Sequence, residues 1–154
     1  MRVKNITNTE EMINIIKKCE VCYMALVDAN GLPYVVPMNF GYSDGYIYLH
    51  GAQSGRKMDI LKQNANMAIN FSRDFRLYHQ NERVACSYSM KYRSVNVEGK
   101  VEFIEGKEEK VKALDIIMAQ YSDREFKYND PAINEVAVYR VSTECMTGRK
   151  MHYQ

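Results

Sequence analysis

The stretch PYVVPMNFGYSDGYIYLHGAQSGRKMDIL, residues 33–61, decides how this chain is read. It reads as strand, tight turn, strand, and then a Gly-Arg-Lys entry into a helix. Two extended runs, Leu32–Tyr42 and Tyr46–His50, flank Ser43-Asp44-Gly45. Asp-Gly between β-rich runs is a strong hairpin signal. The second run ends in His50-Gly51-Ala52, where glycine lets backbone approach a ligand closely. Gly55-Arg56-Lys57 then opens an amphipathic helix with Met58, Ile60 and Leu61 apolar. A helix N-terminus carries free N–H groups and a partial positive charge, and two cations are added to it here, which suits a phosphate. One short segment therefore offers a place for a ring system and a place for a phosphate.

Working outward, residues 8–19 read as a helix. Asn8 or Thr9 caps it, Glu10 and Glu11 sit in its first turn, and Met12, Ile13, Ile15 and Ile16 make its apolar face. Val21–Val27 reads as a strand, and Asp28-Ala29-Asn30-Gly31 as a turn. A helix follows the hairpin at about 56–64, then a β-like run over Ala65–Arg73. Residues 74–82 are polar and read as a loop. Val84–Ile104 reads as two extended segments, Val84–Ser89 and Tyr92–Ile104. In the second, Val95, Val97, Gly99, Val101 and Phe103 share one face, a clean period of two. Gly106–Gln120 reads as a helix with Val111, Leu114, Ile117 and Met118 inward, Val136–Val141 as a last strand, and Met146-Thr147-Gly148-Arg149-Lys150 as a basic tail. About six strands with three helices predict an α+β, mainly β fold, an antiparallel barrel with flanking helices. No βαβ unit opens with GxGxxG, so a dinucleotide-binding doubly wound fold is disfavoured.

With 154 residues the chain is read as one domain, 1–154, large enough for a real core. Hydrophobic content of 46% and charged content of 26% are those of a soluble globular protein. No apolar run approaches the roughly 20 residues a membrane helix needs. The opening MRVKNITNTEEM lacks the apolar core of a signal peptide, so the expected location is cytoplasmic. Four cysteines in such a chain are expected to be reduced thiols. Cys19-Glu-Val-Cys22 has zinc or redox spacing, but no second pair follows, so buried structural cysteines are expected and no metal site. The net charge of +2 is uneven. Residues 54–97 hold eight Lys/Arg against three Asp/Glu, while 98–135 hold six against ten. A basic middle fits an anionic ligand; its cations are not clustered as a nucleic-acid footprint would be.

Four groups of residues carry candidate chemistry, each with a plainer structural reading beside it. His50 at a strand end is able to supply a hydrogen bond or a proton near neutral pH, or it is a satisfied structural histidine. Arg56 and Lys57 oppose the helix dipole unless an anion binds there; otherwise they are a solvated first turn. Arg93 and Ser94 offer a guanidinium and a hydroxyl to a phosphate, or a surface charge on an edge strand. Asn39 is able to read the polar edge of a heterocycle, with Phe40 packing nearby; the alternative is a strand with one polar residue.

The ordered set resembles the flavin-binding split-barrel family that includes pyridoxamine phosphate oxidase, and within it the nitroimidazole-resistance branch. The resemblance is carried by Pro33–Tyr42, Tyr48-Leu49-His50-Gly51-Ala52, Gly55-Arg56-Lys57, Tyr92-Arg93-Ser94-Val95 with Gly99-Lys100-Val101, and Met146–Lys150. It implies a six-stranded split barrel that forms a homodimer with flavin at the subunit interface. It implies FMN, with FAD as an option, its phosphate on Arg56 and Lys57. Asn39, Phe40, His50, Gly51 and Ala52 would line the ring, and Arg93 and Ser94 would approach from the partner. His50 would face the substrate side, and the activity would be flavin-dependent reduction of small electrophiles such as nitro groups. A non-catalytic flavin- or haem-binding barrel is the alternative. The arginine-rich C-terminal motif of a true pyridoxamine phosphate oxidase is not found, which argues against vitamin B6 synthesis.

Overall fold

A computed structural model describes residues 3–154. In chain order the elements are β1 (Val3–Ile6), α1 (Thr9–Lys17), β2 (Cys22–Val27), β3 (Pro33–Met38), β4 (Gly41–Ser43), β5 (Tyr46–Ala52), α2 (Arg56–Gln63) and β6 (Asn66–Tyr78). A single 3-10 turn (Ala85–Ser87) follows, then β7 (Ser89–Lys100), β8 (Glu102–Ile104), α3 (Lys107–Ala119), α4 (Asp130–Glu135), β9 (Val136–Ser142) and β10 (Met146–Met151). Every strand pairing is antiparallel. One sheet has six strands in the order β1-β10-β7-β6-β2-β3, the other four in the order β4-β5-β9-β8. The fold is thus a mainly β, antiparallel split barrel with flanking helices. The expectation of about six strands falls short because it missed β1 and β10 and did not see two strands divide. Among the described residues no helix is long and apolar enough to cross a membrane.

The two sheets face a shared interior. Alternation along the strands turns Met24, Leu26, Ile69, Phe71, Val95, Val97, Ile47, Leu49, Tyr139 and Val141 into it. Helix α1 closes one side with Met12, Ile15 and Ile16; the Asn8 side chain caps it by accepting from the Glu11 N–H. A second apolar cluster lies where α3 and α4 cover the small sheet, with Ala113, Leu114, Ile117 and Ile133 against Val138.

The sheets exchange strands where the sequence reading saw continuous ones. The run Leu32–Tyr42 divides into β3 and β4, which belong to different sheets. Between them Phe40 is fully buried, its ring edge-on to Phe71 with centroids 4.9 Å apart. At Gly41 the chain presses on α3, and a Cβ would lie 2.6 Å from the Ile116 carbonyl oxygen. The run Tyr92–Ile104 divides likewise at Val101 into β7 and β8, so Phe103 leaves the face it shares with Val95 and Val97 in the linear pattern. The Asp44-Gly45 turn is as read: φ is positive at both residues, 45° and 81°, and Ser43 pairs with Tyr46.

Four further differences have local causes. Residues 74–78 continue β6 past a bulge at Asp74, whose φ is 58°, because β7 offers a partner up to Tyr78 paired with Ser89. Most of Val84–Ser89 is loop and 3-10 turn, its backbone held by the Ser87 hydroxyl. The basic run at 146–150 is β10, inside the large sheet between β1 and β7. Asp130–Glu135 forms a short helix, α4, capped by Asn129.

Because the obstacle at Gly41 is helix backbone rather than a movable side chain, Gly41→Ala is expected to cost about 1–3 kcal/mol of stability. Thermal or urea unfolding of the variant checks this.

Candidate functional site

The site forms where β5 runs out and α2 begins. Gly55 precedes the helix with φ 106°, and no side chain caps the first turn. Its N–H groups therefore remain available, with the dipole behind them. Arg56 is exposed and lies with its guanidinium 4.3 Å from the Tyr34 ring centroid, a cation–π contact that holds it over the edge of β3. Lys57 turns inward and is half-buried. Among the described residues its ammonium donates only to the Met38 thioether, at 3.4 Å. Among the described residues no carboxylate pairs with it. Burial lowers its pKa from the ordinary lysine value.

Gly51 makes room for this cation. A Cβ at Gly51 would sit 2.8 Å from Lys57 Nζ and 4.0 Å from the Tyr139 hydroxyl. That hydroxyl is fully buried and has no hydrogen-bond partner among the described residues. Burial, and then the nearby Cys22, push its pKa well up, so it stays a neutral donor. A cation without a carboxylate, an uncapped helix start and an unpartnered donor thus converge on one strand end. This set fits an anionic group such as a phosphate.

His50 precedes Gly51 and points to the opposite face of β5, in register with Val138. It is half-buried. Burial first, and the Lys57 charge second, lower its pKa, so it is neutral at neutral pH. Ala52 ends the strand and is exposed. Asn39 is exposed beside buried Met38, at the end of β3. Phe40 is placed differently from the expectation that its ring lines a ligand: the ring is core, and what it offers outward is backbone. Its N–H donates to the Tyr121 hydroxyl at 3.1 Å, and that hydroxyl donates to the Glu20 carbonyl at 2.8 Å. Tyr121 and Tyr139 were both missed by the sequence reading; neither lies in a motif, and only the fold brings them here.

Arg93 and Ser94 are separated by the pleat. Successive residues of β7 face opposite ways, so the two side chains do not converge on one ligand within this chain. Arg93 donates to Asp74 at 2.7 Å and stacks 3.9 Å from the Tyr153 ring centroid. Arg73 holds the other Asp74 oxygen at 3.0 Å. Burial works to raise the Asp74 carboxyl, but the hydrogen bonds from Arg93 and Arg73 outweigh it and keep it below the usual carboxylate range. Ser94 lies on the outer face, in register with Ser72 and Arg149.

The remaining histidines are engaged elsewhere: His79 with Glu82 at 3.7 Å, and His152 with the Ser89 hydroxyl at 2.9 Å and stacked on Tyr78. Among the described residues no cluster of His, Cys, Asp or Glu is arranged to hold a metal. Cys19 and Cys22 are buried, with thiols directed at the Ile15 and Met38 carbonyls. Burial raises them to about 11 and about 12.

Fold and site together define an antiparallel split barrel with an anion-ready helix start beside a glycine-ended strand. The chain belongs to the pyridoxamine 5'-phosphate oxidase family, whose model matches residues 8–150. Among solved structures it is similar to a candidate 5-nitroimidazole antibiotic resistance protein from Bacteroides thetaiotaomicron. The two are 42% identical with a TM-score of 0.88, covering 97% of this chain and 87% of that one. An FAD and haem binding protein from Mycobacterium smegmatis shares the fold at 18% identity, with a TM-score of 0.86 over 97% of this chain and 74% of its own. A flavocytochrome from Azotobacter vinelandii does so at 21%, with a TM-score of 0.83 over 97% and 70%. No curated protein matches the chain.

The thiol environments give a direct check. Native protein at about pH 8 is expected to react rapidly with a thiol reagent at exposed Cys86 and Cys145 only, and at all four cysteines once unfolded. Mass mapping of the labelled peptides reads the outcome, and fast labelling of Cys22 would contradict its placement.

Proposed function

We propose that this chain is a flavin-dependent oxidoreductase that works as a homodimer and reduces small electrophiles, nitroimidazole-type nitro groups among them. The carrying observation is Lys57: a half-buried ammonium with no carboxylate, at an uncapped helix start, in space that Gly51 leaves free. The 42% identical relative supports the substrate class. The dimer is supported by exposed apolar side chains on the outer face of β2 and β3, Tyr23, Val27 and Val35. A cytoplasmic location fits the two exposed free thiols.

FMN is the proposed cofactor, FAD its alternative, and when bound it supplies the electron transfer. The chain's own residues do the rest. Lys57 and the free N–H groups of α2 hold the phosphate, and Arg56 covers it from outside. Asn39 hydrogen-bonds the polar edge of the ring, while Gly51 and Ala52 let backbone lie against it. His50, neutral and half-buried, keeps one ring N–H to orient the substrate or to protonate it as it is reduced.

The absorbance spectrum of freshly purified protein, with identification of any released chromophore, tests the reading. Flavin bands and reoxidation by a nitro substrate support it. A haem Soret band without flavin turnover favours a non-catalytic haem-binding barrel, and a colourless protein that binds neither FMN nor FAD ends the proposal.

Lys57→Ala is expected to weaken FMN binding about 10- to 100-fold, the worth of a charge-assisted hydrogen bond. Equilibrium dialysis reads this, and unchanged stoichiometry and affinity would refute the role. His50→Ala is expected to keep its flavin and lose at least about tenfold in turnover. Phosphate binding needs Lys57 protonated, so affinity is present below its pKa and lost as pH rises through it. Burial lowers that pKa, so wild-type affinity is expected to decline at a lower pH than an ordinary lysine would set. Lys57→Met is expected to be flat over the same range.

A further inference from the structure

Strand β8 stops early and leaves a cavity. Its last pair is Ile104 with Val138, whereas β9 continues back to Ala137 and Val136, which pair only with Gly51 and Ala52 of β5. The gap is a cavity of about 280 Å³ at the end of the small sheet, between Phe103 and Ile104 on one side and Met58 of α2 on the other. Part of its wall is apolar, with Met58 and Val138 buried, and Gln53 adds one neutral polar side chain.

Its polar end is cationic. Lys110 lines the cavity and is, among the described residues, the one charged side chain that is buried, at 8% exposure. Its ammonium donates to the Val136 carbonyl at 2.9 Å and the Ile133 carbonyl at 3.3 Å. Two of its three N–H bonds are used on dipoles, and among the described residues no carboxylate pairs with it. A buried side-chain amine held only by carbonyls has a donor to spare and no counter-charge beside it, which suits an anionic acceptor. Lys62 brings a second cation to the same cavity, and exposed Glu105 brings one carboxylate. The balance is one positive charge, so a monoanion is matched and a dianion meets Glu105. The volume lies near the lower end of ligand pockets.

We propose that this cavity binds a small apolar monocarboxylate, with its hydrocarbon or ring against Phe103, Ile104 and Val138 and its carboxylate on Lys110 and Lys62. The cavity borders the α2 start through Met58, but the proposal uses other side chains and does not rest on the flavin reading.

Titration of the purified protein with sodium benzoate, followed by amide chemical shifts, tests this. Saturable shifts at Ile104, Val136 and Ala137 are expected, with benzoate bound at least about tenfold more tightly than neutral benzyl alcohol. Lys62→Met, an exposed change, is expected to weaken benzoate about 3- to 10-fold and leave benzyl alcohol unchanged. Lys110→Met is expected to abolish the preference for the acid. If that variant unfolds because α4 loses its anchor, Lys62→Met decides alone. Absence of saturable shifts, equal binding of the alcohol, equal binding of inorganic phosphate, or a Lys62→Met variant with wild-type benzoate affinity would each overturn the proposal.

Discussion

The passage of the chain from one sheet to the other at Asn39-Phe40 is the constraint on which the rest depends. β3 belongs to the large sheet and β4 to the small one, and Phe40 between them is sealed into the common core against Phe71. Burying such a ring contributes about 1.5–3 kcal/mol, and the edge-on aromatic pair adds about 0.5–1.5. The crossing aims β4 and β5 so that β5 ends beside the start of α2. It also places Met38, the residue before the crossing, against the Lys57 ammonium. A ring in the core and a cation at the surface are thus two consequences of one bend.

Around that bend the electrostatics are arranged by what is left out. No side chain caps α2, no Cβ stands at Gly51, and no carboxylate reaches Lys57. In most helices a Ser, Thr, Asp or Asn cap would fill the first of these places; the one acidic residue in the first turn of α2 is the exposed Asp59. Several other half-buried cations are paired: Arg93 and Arg73 clamp Asp74, Lys150 meets Glu11 at 2.9 Å, and Arg140 meets Glu102 at 2.8 Å. What sets the α2 start apart is the combination of the three omissions at one place.

Much of this was legible in the sequence because it is local. The Asp-Gly turn, the Asn8 cap and the entry of α2 at Arg56 are each decided by neighbours within a few residues, and each is where the pattern puts it. The strand divisions were not legible, because Leu32–Tyr42 reads as one extended run and Val95–Phe103 alternates cleanly through the break; the breaks come from packing on α3 and from a change of sheet. β10 reads as a tail because its charges, Arg149 and Lys150, mask a strand that still buries Gly148 and Met151. In the site, the phosphate-suited pair Arg56 and Lys57 was visible as a motif. That Phe40 faces inward, that Arg93 and Ser94 diverge, and that Tyr139 lies beneath Gly51 depend on pleat and register, which no spacing rule supplies.

The place of β10 also bears on how the chain reaches this structure during synthesis. β10 lies between β1 and β7, so among the described residues β1 has no strand neighbour except one that follows it by more than a hundred residues. Until residues 146–151 emerge, β7 presents an open edge and β1 has no partner. The β2–β3, β4–β5 and β6–β7 hairpins are free to assemble early, but the small sheet waits for β9 and the large sheet for β10. Pairings of such long sequence separation are slow to form. The nascent barrel therefore carries an unpaired edge from the emergence of β7 until that of β10, the form in which β proteins are most exposed to misassociation.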